Sequence, residues 1–141
     1  MTKMIFISLP VTDLERSKAF YTALGFVNEP RFSDHTSAAM QWSEHIVLMI
    51  MIRTRWADFT DRPIPPAGSS EVMNCLSCDS REAVDAMNQA AVDNGGTGDI
   101  NPIQDHGTMY GRDFADPDGH AWGGMWMDPA VASGDAPPPA A

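Results

Sequence analysis

The sequence predicts an α+β fold built from two βαβββ modules, each a strand, a helix and three further strands. Three observations carry this reading. An apolar strand running into a helix start occurs twice, at 4–11 before Thr12 and at 72–78 before Asp79, and the two starts lie 67 positions apart (79 − 12). Each helical stripe ends in glycine, at Gly25 and at Asn94-Gly95-Gly96. After each come short β-prone stretches set off by turn residues. One such module leaves a sheet face bare, so the pair is expected to form a curved mixed sheet with helices outside and a concave cavity.

In the first module, residues 1–53, alternation along the first strand sends Ile5, Ile7, Leu9 and Val11 toward a helix. Met4, Phe6, Ser8 and Pro10 then face the cavity. Thr12-x-x-Glu15 reads as a capping box. Leu14, Ser17, Phe20 or Tyr21, and Leu24 recur at helical spacing. Strands follow at 27–33, 37–42 and 46–53. The segment 54–70, with Pro63, Pro65 and Pro66, reads as a linker.

The second module, 71–128, repeats the pattern. Asp79-x-x-Glu82 opens its helix, Val84, Met87 and Ala91 form the stripe, and strands are expected at 98–103, 108–115 and 120–127. Asp116-Pro-Asp-Gly119 has turn chemistry: proline sets the first angle, aspartate bonds the backbone, glycine supplies positive φ. The repeat aligns Phe6 with Met73, Ser8 with Cys75 and Leu9 with Leu76. Small residues and prolines at 129–141 read as a disordered tail.

A formal charge of −10 argues against nucleic acid, whose phosphates need clustered lysine and arginine. It fits a solvated acidic surface, and it would draw cationic small molecules toward an acidic pocket. No apolar run nears the ~20 residues of a membrane span, and residues 4–11 are too short for a signal peptide. A cytoplasmic protein is expected. Cys75 and Cys78 form a C-x-x-C, but residues three apart on a strand face opposite ways. They read as two buried structural thiols rather than a redox pair or zinc site.

Several side chains are candidates for chemistry. His35, His45 and His120 fall in turns, where solvated or hydrogen-bonded roles suffice. His106 as acid or base, Tyr110 as donor and Arg112 as a carboxylate-binding fork cluster near a strand start. Against that, Arg112 can pair with Asp113 or Asp116, and Tyr110 can simply pack. Met4, Phe6, Met49, Met73 and Met125 are expected to converge on the inner face, with Trp42 nearby; flexible thioethers suit irregular apolar pockets. Arg53, Arg55 and Arg62 with Trp56 form a possible anion clamp or an ordinary solvated loop.

The stretches "LPVTDLERSKAFYTALGF" (9–26) and "YGRDFADPDGHAW" (110–122), in this arrangement, resemble the vicinal oxygen chelate superfamily over about residues 4–128. That group includes glyoxalase I, bleomycin-resistance proteins and extradiol dioxygenases. More narrowly, the chain looks like small bacterial proteins described as predicted lactoylglutathione lyases. The resemblance implies the glyoxalase-like fold. It also implies four inward ligands to a divalent metal, a His or Gln on each first strand and a Glu on each fourth. Those positions fall on Phe6, on Leu48 or Met49, on Met73 and on Gly123, none of which suits a hard cation.

The expectation is therefore a protein that binds a small aromatic or cationic molecule without the usual divalent metal, and with no other cofactor. The resemblance also implies a homodimer, since short members of that group commonly pair to complete the cavity. Phe6, Ser8, Trp42, Met49 and Met73 are the ligand-binding candidates from the strands and their neighbours. Tyr110, Arg112, Gly123 and Met125 complete the set. One alternative is a glyoxalase I-like lactoylglutathione lyase with a non-standard metal site. Another is a metal-free isomerase or lyase in which His106 or Tyr110 moves a proton.

Overall fold

A computed structural model of the chain describes residues 2–139; Met1, at the start of the first module, and Ala140 and Ala141, at the end of the predicted tail, lie outside the described residues. The chain divides into two compact units, Met1–Ala67 and Gly68–Ala141. Each holds one βαβββ module, and the α+β reading stands.

The first unit runs β1 (Ile5–Val11), α1 (Leu14–Leu24), β2 (Val27–Glu29), a 3-10 turn (Pro30–Phe32), β3 (Ser37–Ser43), β4 (Ile46–Ile52) and the single-turn α2 (Arg53–Trp56). Its sheet order is β1-β4-β3-β2. β1 and β4 are parallel, and the other pairs are antiparallel. α1 buries Leu14, Ser17, Phe20, Tyr21 and Leu24, the stripe its spacing predicts. They meet Val11, Met40, Leu48 and Ile50, all nearly inaccessible to water. Phe20, Tyr21 and Phe26 pack edge-on at centroid separations of 5.0 and 5.3 Å.

The second unit runs β5 (Asn74–Ser77), α3 (Arg81–Asp93), β6 (Gln104–Asp105), β7 (Met109–Ala115), β8 (Ala121–Met127) and the single-turn α4 (Pro129–Ala132). The order β5-β8-β7-β6 repeats the first sheet's connectivity, again with a parallel first and last strand. Val84, Met87 and Ala91 are buried as predicted, together with Asn88, whose side chain accepts from the Asp99 N–H at 3.1 Å. At the Asp116–Gly119 turn, Asp116 Oδ1 accepts from the N–H groups of Asp118 and His120, and Gly119 adopts φ 90°.

Several local expectations shift. Both helix caps sit one residue later than read: Asp13 accepts from Arg16 N–H and Ser80 from Ala83 N–H, still 67 apart (80 − 13). Thr12 is instead bound by the Arg16 guanidinium. The strand predicted at 27–33 stops at Glu29, because Pro30 starts a 3-10 turn. The strand predicted at 98–103 is absent. Asp99 takes φ 46°, Gly98 is pressed against Asn88 and Val92, and pairing resumes only beyond Pro102. The start of the expected linker, 54–56, is helical, and Pro129–Ala132 form a helical turn where a disordered tail was expected. Asp128 caps that turn, and Pro129 at its first position is preset for helix. Ile5 lies exposed at the strand end rather than under α1. Among the described residues no helix is long and apolar enough to cross a membrane.

Gly25 closes α1 at φ 113°, donating to Thr22 O while Phe26 N–H reaches Tyr21 O. A Cβ there would also stand 3.4 Å from the Trp42 ring. Gly25→Ala is expected to lower stability by about 1–2 kcal/mol in urea unfolding, the left-handed cost of a Cβ.

Candidate functional site

The first unit's sheet face opposite α1 carries an apolar concavity of about 780 Å³. Strand register builds it. Parallel pairing sets Phe6 beside Val47 and Ser8 beside Met49; β3 adds Gln41 beside Val47 and Ala39 beside Met49. Small Ala39 leaves depth at the centre. After β4 the chain turns through α2, and Trp56 and Phe59 form a wall, with Phe32 contributed by the 3-10 turn. Polar lining is sparse: Ser8, Gln41, Thr60 and Glu29. Glu29 is already engaged, its Oε1 accepting from the Arg31 backbone and from Arg31 Nε at 2.6 Å. The Arg31 side chain, and then its N–H, hold the Glu29 carboxyl below its usual pKa.

Of the predicted residues, Phe6, Ser8 and Met49 line this concavity, as does Met4. Leu48, the alternative to Met49, points into the core beneath α1. Trp42 does not line it. It follows Gln41 on the strand, so alternation turns it to the other face, and a bulge between Gln41 and Ser43 settles it against Phe26 at 5.2 Å. Sequence reasoning missed Met51, two residues beyond Met49 and so on the same face. It also missed Phe59; three residues from Trp56, it is where a helical turn would place a second aromatic. Arg55, expected as part of an anion clamp or a solvated loop, pairs with Asp58 and lies over the Phe59 ring.

The second unit has a smaller hollow of about 210 Å³. Met125, Met109 and Asp113 border it, with Cys75 on one side and His106 at the rim. Met73 belongs to this unit too; it is 61% exposed, with its sulfur 3.6 Å from Asn101 Nδ2. His106 is exposed and its Nε2 lies 3.2 Å from Gln104 Oε1.

Tyr110 touches the hollow, but its hydroxyl is committed elsewhere, donating to Asp85 of α3. Arg112 pairs with neither Asp113 nor Asp116. Its Nε and Nη2 grip Asp99 at 3.0 and 2.6 Å, and Nη1 reaches Asp85 at 2.9 Å. Arg81 lies 4.3 Å over the Tyr110 ring and pairs with Asp105. The fork expected to bind a ligand carboxylate thus ties β7 to α3 and to the loop before β6. Alternation along β7 does put Tyr110 and Arg112 on one face, but that face is the helix side, whereas Asp113 lies on the other.

The adjacent glycines face opposite ways. A Cβ on Gly124 would meet Met87 Sδ at 3.0 Å and Cys78 Sγ at 3.4 Å, so glycine there lets α3 approach the sheet. On Gly123 it would fall 2.6 Å from Asp113 Oδ1 and 3.6 Å from Cys75 Sγ. Cys75 and Cys78 are free and on opposite faces, as predicted, but neither is fully buried: Cys75 is exposed on the face that no helix covers, and Cys78 is half-buried on the α3 side. Its thiol is still partly shielded from water, which pushes its pKa up, and the Asp113 charge adds to the rise.

The four positions at which the resemblance implies metal ligands do not fit a divalent ion. Phe6 has no donor atom, Met49 and Met73 offer thioethers, and Gly123 has no side chain. Among the described residues no group of three or more His, Cys, Asp and Glu is placed to hold one.

Comparison with known proteins bears on this geometry. Residues 3–40 match the family model described as "Bleomycin resistance protein-like N-terminal". No curated protein matches the chain. Among solved structures, a hypothetical protein from S. aureus is 24% identical, covering 90% of this chain and 95% of its own, at TM-score 0.76. A glyoxalase/bleomycin resistance protein/dioxygenase family enzyme from Burkholderia phytofirmans PsJN is 15% identical, covering 89% and 99%, at 0.73. A glyoxalase/bleomycin resistance protein from Albidiferax ferrireducens T118 is 25% identical, covering 86% and 96%, at 0.65. The fold is that of the glyoxalase and bleomycin-resistance proteins. These likenesses support the vicinal oxygen chelate resemblance without singling out lactoylglutathione lyases.

The network around Arg112 has a pH signature. Hydrogen bonds from Tyr110 and Arg112 lower the Asp85 pKa, and Arg112 lowers that of Asp99. Their stabilisation is full above the unfolded aspartate value of ~3.9 and is lost as pH falls through the lower folded values. Urea midpoints are expected to be level from about pH 5 to 7 and to fall below about pH 4. Arg112→Met should be less stable at pH 7 and show a shallower acid decline.

Proposed function

We propose that this chain is a small-molecule-binding member of the glyoxalase/bleomycin-resistance group that holds an apolar, aromatic ligand in the first unit's concavity without a divalent metal. One observation carries the reading. The sheet face from which the resemblance would draw metal ligands presents Phe6, Val47, Met49 and Met51, walled by Trp56 and Phe59. A volume of about 780 Å³ lies in the range of drug-sized sites, and the few polar groups serve to orient rather than to react. Methionine side chains adapt to more than one ligand shape. The lactoylglutathione lyase alternative would need a metal site that the four positions do not supply. Proton transfer by Tyr110 is disfavoured by its bond to Asp85, and His106 stands at the rim of the other unit's hollow.

Pairing of two copies belongs to the same proposal. Exposed Ile5 on the edge strand β1, with Met4 just before it, and Val27 on the opposite edge are apolar side chains that a second subunit could cover at one edge or the other.

An uncharged aromatic dye such as Nile red tests the binding reading. Fluorescence enhancement is expected to saturate near one dye per chain, with chelator present or absent. Phe6→Asp should weaken it by about tenfold or more, since a buried aromatic contact is worth roughly 1.5–3 kcal/mol. Phe6 is 62% exposed, so its replacement should leave the urea midpoint almost unmoved. Failure to saturate, or equal binding by Phe6→Asp, would contradict the proposal.

A further inference from the structure

The second unit holds a carboxylate that its neighbours do not neutralise. Asp85, Asp99 and Asp105 each pair with an arginine, either Arg112 or Arg81. Asp113, half-buried on the other face of β7, makes no ion pair among the described residues. Its Oδ2 accepts from Asn101 Nδ2 at 2.9 Å, which fixes the group's orientation. Its Oδ1 has no such donor among the described residues and lies across Gly123, 2.6 Å from where a Cβ would stand. Any other residue at 123 would push that oxygen aside, so the glycine keeps it where it is. With no ion pair of its own among the described residues, this oxygen is open to an incoming cation.

The surroundings match one class of cation. No lysine or arginine lines the hollow, and the chain's charge of −10 draws cations toward it. The Cys75 thiol stays neutral, because shielding from water and Asp113 both raise its pKa. Asp113 is therefore the hollow's one anion among the described residues that line it. The Met109 and Met125 side chains offer apolar, polarisable walls. A volume of about 210 Å³ corresponds to roughly seven waters, room for an amine carrying a few carbons.

We propose that the hollow of the second unit binds a small primary alkylammonium group, whose N–H donates to Asp113 Oδ1 while its alkyl chain packs on Met109 and Met125. The site uses none of the residues that line the first unit's concavity and stands or falls independently of it.

Titration of the full chain with n-butylammonium chloride, followed by 1H–15N spectra, tests this. Potassium chloride at matched ionic strength and the uncharged isostere n-butanol serve as controls. Saturable shifts at the Gly123 and Asp113 amides are expected with the ammonium alone. Asp113→Asn should weaken them about tenfold, the effect of removing a charge-assisted hydrogen bond. Should that variant lose its folded spectrum, the comparison of the three probes on the native chain still decides. The proposal is overturned if the shifts do not saturate, if butanol or potassium reproduces them, or if a folded Asp113→Asn binds as well as the native chain.

Discussion

Parallel pairing between the first and last strands of each unit is the constraint from which the rest follows. It sets Ser8 beside Met49 in one sheet and Cys75 beside Gly123 in the other. Because side chains alternate along a strand, this register decides at once which residues meet the covering helix and which face away. A slip of one residue would send Leu48 and Ile50 to the outer face and Met49 and Met51 into the core. α1 and α3 each cover one face only, and the opposite faces are the ones that line the two hollows.

The same frame carries two different linings. In the first unit the outward positions are large and apolar, and the helical turn after β4 adds two aromatics. In the second unit Met73, Gly123 and Met125 take the places of Phe6, Met49 and Met51, and the glycine leaves space that the Asp113 carboxylate from the neighbouring strand occupies. The carboxylate on this face comes from β7, as Asp113. Behind the sheet, the polar groups that look most functional, Tyr110 and Arg112, hold α3 in place through Asp85 and Asp99.

Much of the fold was legible because its signals are local. The α1 and α3 stripes, the Gly25 stop and the Asp116–Gly119 turn depend on residues within a few positions of one another. The caps were read one residue early because Thr12-Asp13 and Asp79-Ser80 each offer two capping residues side by side, and only the fold chooses between them. Trp42 was misplaced because its direction depends on strand phase and on a bulge that no short motif announces. The strand near 98–103 was lost to Asp99 and Pro102, whose backbone demands outweighed a β-prone composition. The place of Asp113 over Gly123 is a cross-strand fact that no local motif carries. From the sequence, Gly123 shows only a missing side chain.

In the proposed reading, the first unit's concave face holds its ligand chiefly by apolar contact, with a few polar groups to orient it and no chelated metal. Metal analysis together with native mass spectrometry of the freshly purified protein tests it most directly. No stoichiometric divalent ion is expected, and any added mass should correspond to a small organic molecule that leaves on denaturation. One nickel, zinc or iron ion per chain, removed by chelator together with ligand binding, would contradict it.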